Sequence, residues 1–245
     1  MTPQKQLPPG LVLKNGSHNS FNRRNVCAME AVAWLAGEGH SDYPVCACPI
    51  LSEFIRSTND APWGSDKDRT SVMLPVIPWM IGTAKGFDQQ LRHAKGLVSL
   101  AHVFTVRSAF LAVCSIEDAG QDATRVRAAS LAFCESPNEV TALEMKEAFD
   151  AYVTYVDDIE DNGDDAKLCA SMDSAAYAGD VGSYIGDLIL MTSMPIDHRD
   201  SLIDIASKVS DIAISVATTE ELRFVVGLAM GEVIDLIRSG TEPTA

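Results

Sequence analysis

The sequence predicts an all-α protein: an irregular helical bundle with a loop-rich N-terminal third. From residue 87 onwards, apolar residues recur every three or four positions, which is the spacing of one face of an amphipathic helix. No alternation of apolar and polar residues lasts long enough to build a sheet. Hydrophobic residues make up 47% of the 245 residues, which is enough for a sizeable core.

We expect a single domain, 1–245, with three parts along the chain. Residues 1–24 are rich in proline and glycine, contain lysine and arginine but no acid, and have no helical periodicity. They are predicted to form an extended basic arm. Residues 25–85 contain the distinctive motifs, and residues 86–245 form the helical bundle.

The N-terminal third has signals for short helices. Asn25 is a suitable N-cap for a helix over 26–36. Pro49 suits the first turn of a second helix over 50–58, after which the chain is polar and turn-rich. The proline-containing apolar stretch 72–81 predicts two short helical turns.

Apolar stripes predict the longer helices. Their members are Leu97, Leu100, Phe104 and Leu111; Met145, Phe149, Tyr152 and Val156; Leu202, Ile205, Val209, Ile212 and Val216; and Leu222, Val226, Ala229, Val233 and Leu236. Helix breaks are predicted at Asp118–Gly120, Ser136–Pro137, Asn162–Gly163, Gly179 and Ser193–Pro195.

Charge and hydropathy limit the partners and the location. A net charge of −15 argues against a nucleic-acid partner, because phosphate contacts need clustered lysine and arginine. No apolar run approaches the roughly 18 residues of a membrane span, and the N-terminus has no apolar signal segment. We therefore expect a cytoplasmic protein with no membrane partner. Small residues in the later helices allow helices to approach closely, either within the protein or in a homo-oligomer.

Six cysteines are expected to be reduced thiols, because a chain this large and apolar does not need disulfides. Cys114, Cys134 and Cys169 fall within helical apolar patterns and are predicted to lie in the core.

The most distinctive chemistry lies in residues 14–60. The segments KNGSH at 14–18, CAMEA at 27–31 and GHSDYPVC at 39–46 are followed by IPWMIGT at 77–83. In these motifs, residues 8–85 resemble a family of bacterial and phage proteins described as hypothetical proteins. The resemblance implies membership of that family and no particular activity or cofactor.

Our first hypothesis is a non-catalytic protein that binds a small anionic molecule. Because the resemblance extends to phage proteins, its most specific version is a factor that sequesters an anionic nucleotide signal of bacterial defence. Basic side chains would supply charge and a tryptophan would supply stacking. The expected ligand-binding residues are Lys14, His18, Arg23, Arg24, Cys27, Glu30, His40, Ser41, Asp42, Cys46, Arg56 and Trp63.

An alternative is an enzyme that depends on a thiol or a metal and is centred on Cys27. A cysteine in the first turn of a helix is expected to have a lowered pKa, and His18 or His40 would act as the base. The structural alternative is that Cys27 and Cys46 are small buried residues and that the polar side chains around them hold loops together through hydrogen bonds.

A third hypothesis rests on the acidic stretch at 157–161. Asp157, Asp158 and Asp161 match the Asp-Asp-x-x-Asp pattern with which isoprenoid synthases bind magnesium and a diphosphate. No second aspartate-rich motif follows, and no basic cluster is present to hold the diphosphate. The structural alternative is a solvated acidic turn.

Overall fold

The computed structural model describes residues 5–22, 24–159, 166–193, 199–216, 234–235 and 237–238. In this part of the chain the elements are helices, with loops and two isolated β-bridges between or before them. The helices are α1 Ala28–Ala36, α2 Pro49–Asp60, α3 Asp66–Met73, α4 Ile77–Met80, α5 Phe87–Asp118, α6 Thr124–Glu135, α7 Glu139–Ile159, α8 Ala166–Ser193 and α9 Arg199–Val216. The predicted all-α fold is confirmed.

The chain divides into two compact units. One unit consists of residues 1–100 and 196–245, and the other of residues 101–195. The boundary between them falls within α5. The expected single domain stays a prediction.

The first unit is built around α1 and α2. α1 packs against α2 and α4, and α2 also packs against α9. The N-terminal arm lies on this unit: Leu13 is fully buried and forms an isolated bridge with Val26, and the Lys5 ammonium lies 4.0 Å from the centre of the Trp34 ring. The largest buried side chains here are Leu13, Met29, Ile50, Leu51, Phe54, Ile55, Met73, Ile77 and Met80.

α1 begins two residues later than predicted. Its N-cap is Cys27, whose Sγ accepts a hydrogen bond from the Glu30 main-chain N–H at 3.4 Å, while the Glu30 carboxylate accepts from the Cys27 N–H at 2.8 Å. The prediction of Asn25 as N-cap is therefore wrong. Asn25 instead donates its main-chain N–H to the Asn22 carbonyl. Cys27 and Glu30 thus form a capping box, in which each side chain accepts a hydrogen bond from the main-chain N–H of the other residue. Because the Glu30 carboxylate is a strong acceptor, the weak sulfur acceptor of Cys27 is tolerated at the N-cap.

α2 and the short turns at 72–81 follow the predicted pattern with extended bounds, whereas α3 was not predicted. α2 includes Pro49 in its first turn, as expected, and continues to Asp60. Its end is held by the buried side-chain amide of Asn59, which donates one hydrogen bond and accepts another. Its amide nitrogen donates to the Lys14 carbonyl at 2.8 Å, and its oxygen accepts from the Ala28 N–H at 3.3 Å. The predicted short turns within 72–81 are confirmed: a 3₁₀ turn and α4 follow α3 directly.

The second unit is formed mainly by the packing of α7 along α8 and of α6 on α7. The apolar stripe predicted for α7 is buried. The predicted break at Gly179 is wrong, because α8 is continuous from Ala166 to Ser193. A Cβ at Gly179 would lie 2.9 Å from the Asp150 carboxylate and 3.6 Å from the Phe149 Cβ. A glycine is therefore required at position 179 because α7 lies too close to α8 for a larger side chain.

The remaining expectations for the core are met in part. All six cysteines are free thiols, but Cys134 is exposed and Cys114 and Cys169 are only half-buried, so the prediction that these three lie in the core is wrong.

The predicted breaks after α5 and α6 are confirmed. The stripe at 222–236 and the break at 162–163 lie outside the described residues, as does the chain directly after Ser193, so these expectations stay predictions.

Within the described residues, α5 alone has the length and apolar composition of a membrane span. The sequence was expected to contain no apolar stretch of about 18 residues, and α5 is an exception. Half of its most apolar 18-residue stretch is buried inside the protein. The core helix of a soluble protein has the same properties, so one such helix is weak evidence for a membrane span.

His93 of α5 is a buried imidazole whose protonation is unfavourable. Its side chain is 1% exposed, its Nε2 lies 3.0 Å from the Gln89 amide nitrogen, and its Nδ1 has no hydrogen-bond partner among the described residues. Burial, with smaller contributions from the positive charges of Arg92 and Lys85, lowers the pKa of His93 from 6.5 to about 4. The folded protein therefore holds this residue neutral at pH values at which the unfolded chain protonates it.

We predict that His93 makes the protein less stable in mild acid. Between about pH 7 and about pH 4 the unfolded chain takes up a proton at this residue and the folded protein does not, which removes on the order of 3 kcal/mol from the free energy of unfolding. The His93→Leu variant should lack this part of the pH dependence. Urea denaturation of both proteins across this pH range measures it, and parallel pH curves would contradict the prediction.

Candidate functional site

Two polar groupings lie in the first unit, and the first surrounds the carboxylate of Glu30. This side chain is 1% exposed. It accepts hydrogen bonds from the main-chain N–H of His18, from the His18 Nδ1 at 2.9 Å and from the Cys27 N–H at 2.8 Å. The His40 Nε2 lies 2.6 Å from the His18 carbonyl and 3.4 Å from the Glu30 Oε1. Both histidines are thus held at one buried carboxylate.

The arm that carries His18 is attached to the helices at several points. The Gly16 N–H donates to the Asp60 carboxylate at 2.8 Å, and the Lys14 ammonium forms an ion pair with Asp66. Gly16 has a φ of 72°, a conformation that L side chains rarely adopt. These contacts position His18 beside α1.

Cys27 is a poor nucleophile in this setting. Burial and the negative charge of Glu30 raise the pKa of the Cys27 thiol to about 12, and the charge of Asp42 adds a smaller effect in the same direction. Hydrogen bonds from main-chain N–H groups act in the opposite direction but are outweighed. The expectation of a lowered pKa at the helix N-terminus is therefore wrong, because burial disfavours the thiolate more than the helix favours it.

The segment 38–46, called the 38–46 loop below, is held by its own carboxylate. Glu38 accepts hydrogen bonds from the main-chain N–H groups of Val45 and Cys46, each at 2.8 Å, and the Ser41 Oγ accepts from the Tyr43 N–H at 3.0 Å. Burial and a hydrogen bond to Glu38 raise the pKa of the Cys46 thiol to about 12. These residues shape a loop and place its apolar and aromatic side chains.

The second grouping surrounds a cavity of about 430 Å³ beside the first turns of α2. Its walls come from the 38–46 loop, from α2, from the chain around residues 84–90 and from α9. Several lining residues are apolar, including Val45 and Ile203. The polar and aromatic residues that line it are Tyr43, Ser52, Glu53, Arg56, Lys85 and Gln90.

Arg56 is the central cation of this cavity. Its guanidinium carbon lies 4.1 Å from the centre of the Tyr43 ring, a cation–π distance. Its Nη2 forms an ion pair with Glu53, one helical turn earlier. Its Nη1 is buried and has no hydrogen-bond partner among the described residues. The guanidinium is therefore fixed in place with one donor group unused.

Ser52 is a second unused donor in the same wall. The residue is 4% exposed, and its Oγ has no hydrogen-bond partner in the part of the chain that the structure describes. A buried polar group left without a partner costs about 1–3 kcal/mol, so such groups usually bind water or a ligand. Ser52 and Arg56 are four residues apart and share one face of α2.

The start of α2 adds a weak positive potential. Its N-cap, Cys48, makes no side-chain hydrogen bond to the helix, and Pro49 has no N–H to offer. The unpaired N–H groups of a first turn carry a partial positive charge that favours anions nearby. This contribution is secondary to that of Arg56 and Lys85.

The structure brings only some of the predicted site residues together. His18, Cys27, Glu30 and His40 form the first grouping, and Arg56 lines the cavity. Ser41, Asp42 and Cys46 belong to the 38–46 loop, where Ser41 and Cys46 make the loop contacts described above. No three described His, Cys, Asp or Glu side chains are arranged so that they could hold a metal ion.

The remaining predicted site residues lie elsewhere. Lys14 pairs with Asp66, Arg24 is exposed, and the indole N–H of Trp63 donates to the Thr58 carbonyl at 2.9 Å. Arg23 lies outside the described residues.

The aspartates of the isoprenoid-synthase hypothesis lie near the end of α7. Asp157 and Asp158 are exposed, and Asp161 lies outside the described residues. That hypothesis stays a prediction.

Sequence reasoning missed Tyr43, Ser52, Glu53, Lys85 and Gln90. The spacing of Ser52 and Arg56 after Pro49 was the available signal, since both fall on one face of a helix whose start was predicted. Nothing in the sequence indicates that Lys85 and Gln90 approach that face.

Comparisons of the chain with protein-family models, with curated proteins and with solved structures found no match. The resemblance of residues 8–85 to bacterial and phage hypothetical proteins therefore stays a prediction.

We predict that Glu30→Gln destabilises the protein by about 3 kcal/mol. The amide has one acceptor fewer and no charge for the His18 and Cys27 donors, and it brings an N–H₂ group that faces other donors. Glu144→Gln makes the same chemical change at an exposed position of α7 and should leave stability nearly unchanged. Chemical denaturation measures both, and equal stability of the two variants would contradict the structural role of Glu30.

We predict that Cys27 is among the slowest cysteines to be alkylated in the folded protein. A buried thiol with a pKa of about 12 is almost entirely protonated at neutral pH, whereas the thiol of Cys134 is exposed. Iodoacetamide labelling followed by peptide mass spectrometry should find Cys134 modified and Cys27 unmodified until the protein is unfolded. Faster labelling of Cys27 than of Cys134 would restore the thiol-enzyme hypothesis.

Proposed function

We propose that this protein binds a small anionic molecule, without turnover, in the cavity beside α2. The observation that carries the proposal is a pair of buried donors on residues of the cavity wall, Ser52 Oγ and Arg56 Nη1, for which the described part of the chain provides no hydrogen-bond partner. Both atoms are buried and both lie on α2, so a ligand acceptor that reached them would remove the cost of leaving them without a partner.

The size and charge of the cavity fit such a ligand. A volume of about 430 Å³ falls in the range of pockets that take small molecules, roughly 300–1,000 Å³. Arg56 and Lys85 supply positive charge, and the described ion pairs include none for Lys85. Because the whole chain has a net charge of −15, this local positive charge contrasts with the rest of the surface.

Binding without chemistry is favoured because the described residues that line the cavity include no histidine and no cysteine. The His18 Nδ1 is hydrogen-bonded to Glu30, the His40 Nε2 is hydrogen-bonded to the His18 carbonyl, and the Cys27 and Cys46 thiols are protonated at neutral pH. Neither thiol is available as an activated nucleophile at neutral pH.

The most specific version of the proposal has an anionic nucleotide as the ligand. Tyr43 is 65% exposed and one of its faces is taken by Arg56, so its ring offers further area for stacking with a planar base. A cytoplasmic factor that sequesters a nucleotide signal of bacterial defence, in the manner expected of a phage-type protein, would be consistent with the resemblance of residues 8–85.

Isothermal titration calorimetry tests the proposal with a panel of benzoate, phenyl phosphate, AMP and cyclic AMP at low ionic strength. Arg56→Met and Lys85→Met should each weaken binding, by about 10- to 100-fold for Arg56, because a hydrogen bond to a charged group contributes about 1.5–3 kcal/mol. Arg24→Met removes an exposed charge that does not line the cavity and should bind like the wild type.

Lys85 is exposed, so its variant keeps the test valid if Arg56→Met does not fold. Absence of heat for every member of the panel, or unchanged affinity in both cavity variants, would overturn the proposal.

A further inference from the structure

We propose that Glu53 makes this cavity selective for a singly charged oxyanion over a doubly charged one. The inference rests on the proposed function, because it concerns the charge of the ligand that the same cavity binds. It is carried by the placement of an acidic side chain among the cations of the wall.

The charge of the cavity wall is nearly balanced. Its charged members among the described residues are Glu53, Arg56 and Lys85, which together carry one net positive charge. A monoanion would neutralise this charge, whereas a dianion would leave an uncompensated negative charge in a partly buried place. The strongly negative chain supplies no further compensation.

Glu53 is fixed in the wall by two donors of α2. Its Oε2 forms the ion pair with Arg56, and its Oε1 accepts a hydrogen bond from the Ser57 Oγ at 3.2 Å. The side chain is 20% exposed, so it is partly shielded from the solvent. A carboxylate held in this way cannot move far from an incoming anion.

The ion pair also limits how Arg56 can bind. A guanidinium recognises phosphate best through two parallel N–H bonds, which engage two of its nitrogens at once. Here Nη2 already donates to the Glu53 carboxylate, and Nη1 has no hydrogen-bond partner among the residues that the structure describes. Because the guanidinium already holds one carboxylate, it has less capacity for a second, doubly charged group than an arginine without an ion pair would have.

Lys85 supplies the one net positive charge, because the charges of Glu53 and Arg56 offset each other. Its side chain is exposed, so its charge is screened by water and salt more than that of the partly buried Glu53–Arg56 pair. The expected class is a carboxylate or a phosphate diester, which share a single delocalised negative charge. A phosphate monoester carries nearly two charges above its second pKa of about 6.

The test compares matched ligands by calorimetry at about pH 8. Benzoate and cyclic AMP are monoanions and represent the carboxylate and diester sources, whereas phenyl phosphate and AMP are their dianionic counterparts. The wild-type protein should bind at least one monoanion about 10-fold more tightly than its counterpart. Whichever of benzoate and cyclic AMP binds more tightly shows whether the ligand is a carboxylate or a phosphate diester.

Glu53→Gln keeps the size of the side chain and an acceptor for Ser57 while removing the charge. It should raise the affinity for the dianion about 10-fold and change that for the monoanion by less than about 3-fold, so the preference falls from about 10-fold to about 3-fold or less. Glu144→Gln removes the same charge from an exposed position of α7 outside the cavity and should keep the wild-type preference.

A second measurement needs no variant. Lowering the pH from about 8 to about 5.5 converts AMP largely into a monoanion, so its affinity for the wild type should rise about 10-fold while that of cyclic AMP stays nearly constant. The titratable residues that line the cavity are Tyr43, Glu53, Arg56 and Lys85, and cyclic AMP reports any change in them.

The possible failures are distinguishable. If the wild type binds no ligand of the panel, the proposed function fails and this inference fails with it. If it binds AMP as tightly as cyclic AMP and phenyl phosphate as tightly as benzoate, or if Glu53→Gln folds and keeps the wild-type preference, charge selection is overturned and the binding function stands.

Discussion

The N-terminal third depends on the hydrogen bonds of one buried carboxylate. Glu30 caps α1 through the Cys27 N–H, holds His18 of the arm and lies beside His40 at the start of the 38–46 loop. A buried carboxylate is stable only when donors surround it, and these donors come from segments without helical structure. One side chain therefore fixes the start of a helix, the arm that precedes it and the loop that follows it.

The cavity is a consequence of this arrangement. The 38–46 loop, held at His40 and by Glu38, places Tyr43 against the guanidinium of Arg56. α2 supplies the opposite polar wall, and its packing against α1 and α9 buries its apolar face. The conspicuous motif residues thus build the wall, whereas less conspicuous residues of α2 offer the unused donors. The residues that shape the cavity and the residues that offer polar groups to a ligand are therefore different.

Much of the helical structure could be predicted, because apolar periodicity and proline signals act locally. The start of α2 at Pro49, the short turns before α5 and the buried stripe of α7 follow from such signals. The predictions failed where a partner distant in space or an unusual cap decided the outcome. The continuity of α8 through Gly179 is explained by the closeness of α7, and the cap of α1 depends on a sulfur atom supported by Glu30.

The sequence by itself determined that the protein is all-α, that its distinctive polar residues cluster in the first third, and that Arg56 is a candidate for binding an anion. Only the tertiary structure decided which polar residues are used internally and which are left with unused donors. The reason is physical: a side chain's burial and its hydrogen-bond partners depend on segments far apart in the sequence, such as His18 and Glu30 or Tyr43 and Arg56. No local pattern contains that information.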